Sequence, residues 1–300
     1  MNKCGKALKN NILLVVNPIS GGVDKSEFID ATTLFAAKEN LNLMLYTTSG
    51  EDDISKIKAL YQQHHPERII IMGGDGTIKM VAEATDGQDV IFGILPAGSS
   101  NGLAVDLDLM KTLDENLEVA FHNNYIELDT IVINDQKCLH LSDLGLNAEL
   151  VKNYEKSKTR GKWGYFLQVV NTLMDSGKPF RATITIDNRI IECEARMIVI
   201  ANSKKYGTGI IINPEGVMYD GKFELVILKN LDLVIFGEII MGNMPLNQED
   251  IEIVSADKAT IKTNVPVSFQ IDGEYCGMET ELKIRVSPHK IKVAIPDLTT

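Results

Sequence analysis

The sequence is sparing with the residue groupings that metal and triad chemistry need. Its four cysteines (Cys4, Cys138, Cys193, Cys276) are scattered without a CxxC pair, so neither a metal ribbon nor a small disulfide framework is indicated, and reduced thiols in a cytoplasm fit. Its five histidines (His64, His65, His122, His140, His289) form no HExxH and no triad-like arrangement, which leaves zinc and hydrolase readings without support. Positive charge is also short: 30 Lys and Arg stand against 41 Asp and Glu, for a net charge of -11. Wholesale attraction to nucleic acid or to an anionic bilayer is therefore disfavoured, and any such contact must be local. No apolar run reaches the roughly 20 residues that span a bilayer; Leu231 to Met244 is interrupted by Asp232, Glu238 and two glycines. The first run, Ile12 to Val16, is too short for a signal-peptide core and leads into Asn17-Pro18 instead of a small-residue cleavage pattern.

What is present is ordinary globular composition, 44% apolar and 24% charged, which excludes a disordered, collagen-like or coiled-coil chain. At 300 residues the chain exceeds the usual domain size of about 100 to 200, so two domains are expected. Residues 11 to about 123 alternate short apolar runs with amphipathic segments, the pattern of a mostly parallel sheet covered on both faces. Ile12 to Val16, Leu41 to Tyr46, Arg68 to Met72 and Val90 to Leu95 read as strands. Between the second and third, Ile54, Ile57, Leu60 and Tyr61 recur at helical spacing behind Asp52-Asp53, and His64-His65 before Pro66 reads as the helix end.

From about 124 onward the period changes to two. Arg181 to Asp187, Lys258 to Lys262 and Leu282 to Val286 alternate polar and apolar residues, with turn pairs at Asp187-Asn188, Asp220-Gly221 and Asp272-Gly273. The fold expected is α/β plus all-β: a three-layer α/β domain over 1–124 and an antiparallel β-sandwich over 125–300, whose last few residues return to the first domain. One helix is expected within Gly161 to Ser176, where Trp163, Phe166, Leu167, Val170, Leu173 and Met174 share a stripe.

Three strand ends carry phosphate-loop materials. Gly73-Gly74-Asp75-Gly76-Thr77 follows the third strand; its glycines allow close backbone approach, the Asp75 carboxylate can hold Mg²⁺ or its water, and Thr77 can donate a hydroxyl bond. A tight glycine turn capped by Asp is the alternative. Pro96-Ala97-Gly98-Ser99-Ser100-Asn101-Gly102 follows the fourth strand, where Ser99, Ser100 and Asn101 can bond a ligand or cap the helix that starts near Leu103. Asn17-Pro18-Ile19-Ser20-Gly21-Gly22 follows the first. Strand ends of this kind host ligands, and three together can converge on one. No GxxxxGK[ST], GxGxxG or HRD/DFG set is present, so a nucleotide is held differently from those folds.

The three loops in this order resemble the lipid kinase family of diacylglycerol and sphingosine kinases, a soluble bacterial diacylglycerol kinase-like protein being nearest. The resemblance continues through Gly145 to Glu149, the basic stretch ending Arg160-Gly161, Asn202 to Gly209, Pro214 with Asp220-Gly221, and Asp272-Gly273-Glu274. It implies transfer of the γ-phosphoryl group of ATP to a hydroxyl of a diacylglycerol-like or sphingoid-like lipid. By matching position it gives the nucleotide Asn17, Ser20, Gly21, Thr47 or Thr48, Gly73 to Lys79 (Gly73, Gly74, Asp75, Gly76, Thr77, Ile78, Lys79) and Gly98 to Asn101. The resemblance further implies that Asp75 organises the catalytic Mg²⁺, and it makes Asp272 and Glu274 the candidates for deprotonating the acceptor, Glu274 ahead. A structural Mg²⁺ site is implied at Asp220 with main-chain oxygens near Val217 and Lys222, where a bare hairpin is the alternative.

One departure stands out. Diacylglycerol kinase-like members carry an acid after the Asn of the third loop, whereas this chain has Gly102, as sphingosine kinases have a small residue there. An NAD kinase relative, which shares Gly-Gly-Asp-Gly-Thr, and a nucleotide-binding regulator without turnover are the two other readings. The basic run Lys152, Lys156, Lys158, Arg160 and Lys162 against Glu155 offers either a peripheral membrane contact or a solvated loop. The expected location is cytoplasmic, at most peripheral at the membrane, with no nucleic-acid partner.

Overall fold

The computed structural model describes residues 11–145, 179–206, 210–230 and 249–297. Two units divide the chain: Met1–Leu128 together with His289–Thr300, and Asp129–Pro288.

The first unit is built on a six-stranded sheet. Its strands are β1 (Asn11–Val16), β2 (Asn42–Thr47), β3 (Arg68–Gly73), β4 (Ile91–Pro96), β5 (Tyr125–Leu128) and the late β18 (Ile291–Ala294), in the order β2-β1-β3-β4-β18-β5. Pairing is parallel except between β18 and β5. β1 and β3 are apolar along nearly their whole length, and Leu13 to Val16 and Ile69 to Met72 are all fully buried. That is the mark of strands covered on both faces. On one face Ile12, Leu14, Val16, Ile70 and Met72 pack with Phe28 and Phe35 of α1 (Ser26–Lys38) and with Leu117 and Phe121 of α5 (Leu113–His122). α2 (Asp53–His64) packs against α3 (Asp75–Ala84), which contacts β3. On α2, Ile57 and Tyr61 are buried whereas Ile54 is exposed; the buried stripe is narrower than the apolar pattern.

Local chemistry sets the ends of these helices. α5 opens with a capping box, in which Thr112 accepts from the Glu115 amide and Glu115 accepts from the Thr112 amide at 3.0 Å. It closes on Arg68, whose guanidinium donates to the Ala120 and Asn123 carbonyls at 3.1 and 2.9 Å, satisfying acceptors that a helix C-terminus leaves open. The division of the chain falls after Leu128 rather than near 124, because β5 completes the first sheet by pairing with β18 from Tyr125↔Ala294 to Leu128↔Ile291.

Among the described residues every strand pair of the second unit is antiparallel. Its main path includes β15 (Ile251–Ala256), β14 (Phe223–Leu228), β11 (Met197–Ala201), β8 (Leu141–Gly145), β16 (Lys258–Ile271), β17 (Glu274–Val286), β6 (Ile131–Ile133) and β7 (Gln136–Cys138), in that order. β9 (Phe180–Ile186) joins β16, β10 (Arg189–Ala195) joins β9, and β12 (Lys205–Tyr206) pairs apart from this path with β13 (Ile210–Ile211). Besides β17, β16 serves two partners: Thr260 to Thr263 pair with β9 and Phe269 to Ile271 pair with β8. Between them its register against β17 shifts from Lys262 to Val267. Pro266 lies in that interval and has no N–H for a ladder, which is where a sheet tolerates proline. Alternate residues, among them Ile184, Ala259, Ile261, Leu282 and Ile284, close a single apolar core. The turn pair Asp187-Asn188 joins β9 to β10, and Asp272-Gly273 joins β16 to β17, with φ of +50° and +85° at its two residues.

Five sequence features lie wholly or partly outside the described residues: most of Gly145 to Glu149, the basic run 152–162, the helix expected within Gly161 to Ser176, the last three residues of Asn202 to Gly209, and Leu231 to Met244. Among the described residues no helix is long and apolar enough to cross a membrane.

Candidate functional site

Parallel register places the ends of the first four strands along one edge of the first sheet. Val16 is paired with both Thr47 and Met72, and Gly73 with Pro96. The three glycine-bearing loops and the Thr47-Thr48 segment therefore leave from the same edge, the edge at which open α/β sheets hold ligands.

The loops also touch. A Cβ added to Gly98 would strike the Gly74 Cα, and one added to Gly21 would lie 2.6 Å from the Ala97 carbonyl oxygen, so both positions need glycine for the loops to meet. The same construction on Gly74 falls 3.0 Å from the Gly98 Cα and 3.5 Å from the Ser20 hydroxyl. Gly21 has φ of +65° as well, a region that L side chains avoid.

Hydrogen bonds knit the contact. Asn17 donates its amide to the Met72 carbonyl at 3.0 Å and its side-chain NH₂ to the Thr77 hydroxyl at 3.1 Å, joining the first loop to the second. The Ala97 amide reaches the Gly73 carbonyl at 2.9 Å, joining the third. Asn101, in the left-handed region at φ +53°, closes its loop by accepting from the Gly98 amide at 2.7 Å and donating to the Gly98 carbonyl at 3.0 Å. Asp75, first residue of α3, accepts from the Gly102 amide at 2.8 Å and from the Leu103 amide at 3.0 Å. It thus satisfies the open N-terminus of the short helix α4 (Gly102–Asp106).

The remaining first-domain candidates differ in what they expose. Ser99, Ser100, Gly21, Gly76 and Thr47 are exposed, and Ser20 is half-buried. Thr77 is buried and Thr48 nearly so; the Thr48 amide continues the sheet by bonding the Val16 carbonyl at 2.9 Å. Ile78 is fully buried and Lys79 largely so, which commits the Ile78 side chain to the core and leaves only main chain there for a ligand.

Two residues that motif reading passes over shape the same edge. Lys25 is buried, and its ammonium donates to the Ser20 carbonyl at 2.7 Å and the Val23 carbonyl at 2.9 Å, folding the first loop back on itself. Burial pushes its pKa down, opposed by the neighbouring Asp24 carboxylate. Asp53 is buried at the start of α2 and accepts from the Tyr46 hydroxyl at 2.6 Å, the Gly50 amide at 2.7 Å and the Ser49 amide at 2.9 Å. Burial alone would raise the Asp53 pKa, but the bonds from Tyr46, Ser49 and Gly50 outweigh it and hold the carboxyl below its ordinary value. The Tyr46 hydroxyl is pushed up to about 12, by burial first and then by Asp53. Asp53 thereby braces the turn that follows Thr47-Thr48. The only sequence signal for it is an Asp at a helix start.

The second unit places its candidates differently. The Asp272 carboxylate accepts from the Leu139, His140 and Leu141 amides at 3.0, 2.9 and 3.2 Å. The Cys138 thiol lies 3.5 Å from the same carboxylate. It is a cross-link between the β16–β17 turn and the β7–β8 turn. Glu274, two residues on, presents an exposed side chain. Asp220 is exposed and accepts from the Lys222 amide at 3.0 Å, while the Gly221 amide donates to Asp129 at 2.7 Å. Val217 is half-buried. Among the described residues no three His, Cys, Asp or Glu side chains cluster as a metal site, so an ion at Asp220 would rest largely on main-chain oxygens.

Comparison with known proteins follows this division. A Staphylococcus epidermidis protein assigned as a lipid kinase is 28% identical over 278 residues, covering 88% of each chain. A Bacillus anthracis crystal structure assigned as a diacylglycerol kinase superposes with a TM-score of 0.81 at 22% identity, over 96% of this chain and 97% of that one. An Archaeoglobus fulgidus NAD kinase in complex with ATP superposes with a TM-score of 0.56 at 11% identity, over 95% and 94%. Residues 11–133 match the diacylglycerol kinase catalytic domain, and residues 143–295 match the YegS C-terminal NAD kinase β-sandwich-like domain. The chain belongs to the diacylglycerol kinase and YegS family, with a mostly parallel α/β domain and an antiparallel β domain of the NAD kinase-like fold.

Proposed function

We propose that this protein transfers the γ-phosphoryl group of ATP to a hydroxyl of a lipid of the diacylglycerol or sphingoid kind. The observation that carries the reading is the meeting of three glycine-bearing loops at one sheet edge, with Asp75 between the second and third. Phosphoryl transfer asks for positioning and charge neutralisation more than for covalent chemistry, and such loops supply main-chain N–H groups for it. Bound MgATP contributes the phosphoryl group and a divalent charge.

The residues present fit that ligand. Gly21, Gly74 and Gly98 leave a side-chain-free surface where the loops touch, and the exposed Ser99 and Ser100 hydroxyls are available to a phosphate or sugar. Each Asp75 oxygen accepts one main-chain N–H and keeps a lone pair, enough for a Mg²⁺ ion that takes one carboxylate and fills its shell with phosphate oxygens and water. Asn17, through Thr77, and Asn101, through Gly98, hold the loops in place. Glu274 is the proton acceptor for the lipid hydroxyl: its carboxylate is exposed, whereas that of Asp272 is engaged by three amides. The proton passes to the carboxylate as the lipid oxygen bonds phosphorus and the bond to ADP breaks.

Purified protein incubated with labelled ATP and a total lipid extract is expected to yield a labelled phospholipid, and Asp75→Ala is expected to abolish it with the fold retained. Label appearing only in NADP when NAD is supplied assigns the protein to NAD phosphorylation and ends the lipid reading. ATP binding in calorimetry with no labelled lipid or NADP ends the catalytic one.

A further inference from the structure

A cationic hollow lies on the solvent-facing side of the long β16–β17 hairpin, in the second unit. Pairing sets Lys258 directly opposite Arg285 and Thr260 opposite Lys283. The intervening Ala259, Ile284 and Leu282 are buried in the core, which leaves Lys258, Lys283 and Arg285 exposed on the other side of the sheet. Opposed residues of an antiparallel pair have Cβ atoms about 4.5–5.5 Å apart, and like charges there repel. The register thus sets two cations against each other with a third one step along the strand.

Two acids, Asp135 and Glu281, line the same hollow. Among the described residues Lys258, Lys283 and Arg285 make no ion pair, while Glu281 is engaged by Lys262 at 3.8 Å. Asp135 borders the hollow from the β6–β7 turn, where Asn134 and Asp135 have φ of +46° and +65°. Asn134 pins that turn to β17, accepting from the Lys283 amide at 2.8 Å and donating to the Glu281 carbonyl at 3.0 Å. Lys262 engages Glu281 from outside the lining, and counting Lys258, Lys283 and Arg285 against Asp135 and Glu281 gives 3 minus 2, a local +1 in a chain of net charge -11. These side chains surround a concavity of about 660 Å³, large enough for a small solute.

We infer that this hollow binds a phosphate-type oxyanion, borne either by a phospholipid headgroup or by a free phosphorylated small molecule. A tetrahedral anion with two charges offers several acceptors to cations that approach from different strands, and the Arg285 fork can engage two of its oxygens at once. The lining holds no aromatic side chain for base stacking, and the acidic chain repels long polyanions, which excludes nucleic acid as the ligand. The site lies wholly in the second unit and does not depend on the phosphotransfer reading.

The test compares the full chain with Lys283→Gln/Arg285→Gln and with a charge-matched control, Lys38→Gln/Lys58→Gln, on the first unit. Each is titrated with glycerol 3-phosphate in calorimetry and floated with vesicles of neutral phosphatidylcholine, with and without phosphatidylglycerol. The expected result is that wild type and control bind the anionic probe and the site variant binds it at least tenfold more weakly, while all three bind ATP equally. Flotation with phosphatidylglycerol vesicles that glycerol 3-phosphate reverses identifies the headgroup as the source; glycerol 3-phosphate binding without flotation identifies the free compound. Equal affinity of site variant and control for both probes, or no binding by wild type to either, overturns the inference.

Discussion

Asp75 Oδ2 accepts a hydrogen bond from the Gly102 amide at 2.8 Å, and Asp75 Oδ1 accepts from Leu103 at 3.0 Å. The acidic residue of the second loop therefore builds the third. With Gly102 there, Asp75 is the one acid that the three loops bring to their meeting point. Its charge and its main-chain bonds are coupled.

Asp75→Asn is expected to lower phosphotransfer at least a hundredfold and to destabilise the fold by about 1.5–3 kcal/mol, the usual worth of hydrogen bonds to a charged group. Calorimetry of ATP binding with and without Mg²⁺ separates the two effects. Loss of the Mg²⁺ dependence at temperatures where the variant is still folded is the expected signature, and unchanged turnover refutes the role.

Gly98→Ala drives a Cβ into the Gly74 main chain. The expected cost is about 1–3 kcal/mol of overpacking, with ATP affinity falling more than stability alone explains. Gly22→Ala is the informative partner, because no atom lies within 4 Å of its added Cβ although φ is +66°. It is expected to cost conformational energy without separating the loops, and so to keep nucleotide affinity close to wild type.

Asp272→Asn and Glu274→Gln are expected to part company. The first weakens acceptor bonds to three amides and should lower stability by about 1–3 kcal/mol. The second alters an exposed side chain, should stay within about 0.5 kcal/mol of wild type, and should lower kcat with little change in the KM for ATP. Chemical denaturation beside initial-rate kinetics distinguishes them, and full turnover in Glu274→Gln removes it as the proton acceptor.

Asp53 gives a pH test. Its folded pKa is held below the ordinary 3.8, so its contribution to stability is complete above that value and is lost as pH falls through the folded pKa. Asp53→Asn should be destabilised by about 1–3 kcal/mol near neutrality and lose less than wild type on acidification. Tyr46→Phe combined with it should show a coupling of about 0.5–3 kcal/mol. Additive effects of the two changes disprove the pairing.

Much of this protein was legible before folding. The apolar runs of the first domain mark β1 to β4 within a residue or two. β1, β3 and β4 are buried along nearly their whole length and have few polar positions to blur their limits. β2, at the sheet edge, has no buried residue and is marked by its apolar and aromatic residues alone. Asp187-Asn188 and Asp272-Gly273 mark hairpins, since Asp, Asn and Gly accept the positive φ that Asp187, Asp272 and Gly273 adopt. The loops were visible as motifs because glycine and asparagine at strand ends have few other uses.

What the chain order could not say is which groups meet. Asp272 reads as a candidate base until the fold brings Leu139, His140 and Leu141 to its oxygens. Lys25 and Asp53 read as an ordinary charge and a helix start until burial forces each to find partners. β18 returns to the first sheet beside β4, and Lys258 comes to face Arg285, only through pairings far apart in sequence. Composition and periodicity determine which segments are strands, helices and turns, because those depend on neighbours along the chain. Contacts among distant segments depend on how the elements pack, and there the tertiary structure alone chose the partners of each buried charge.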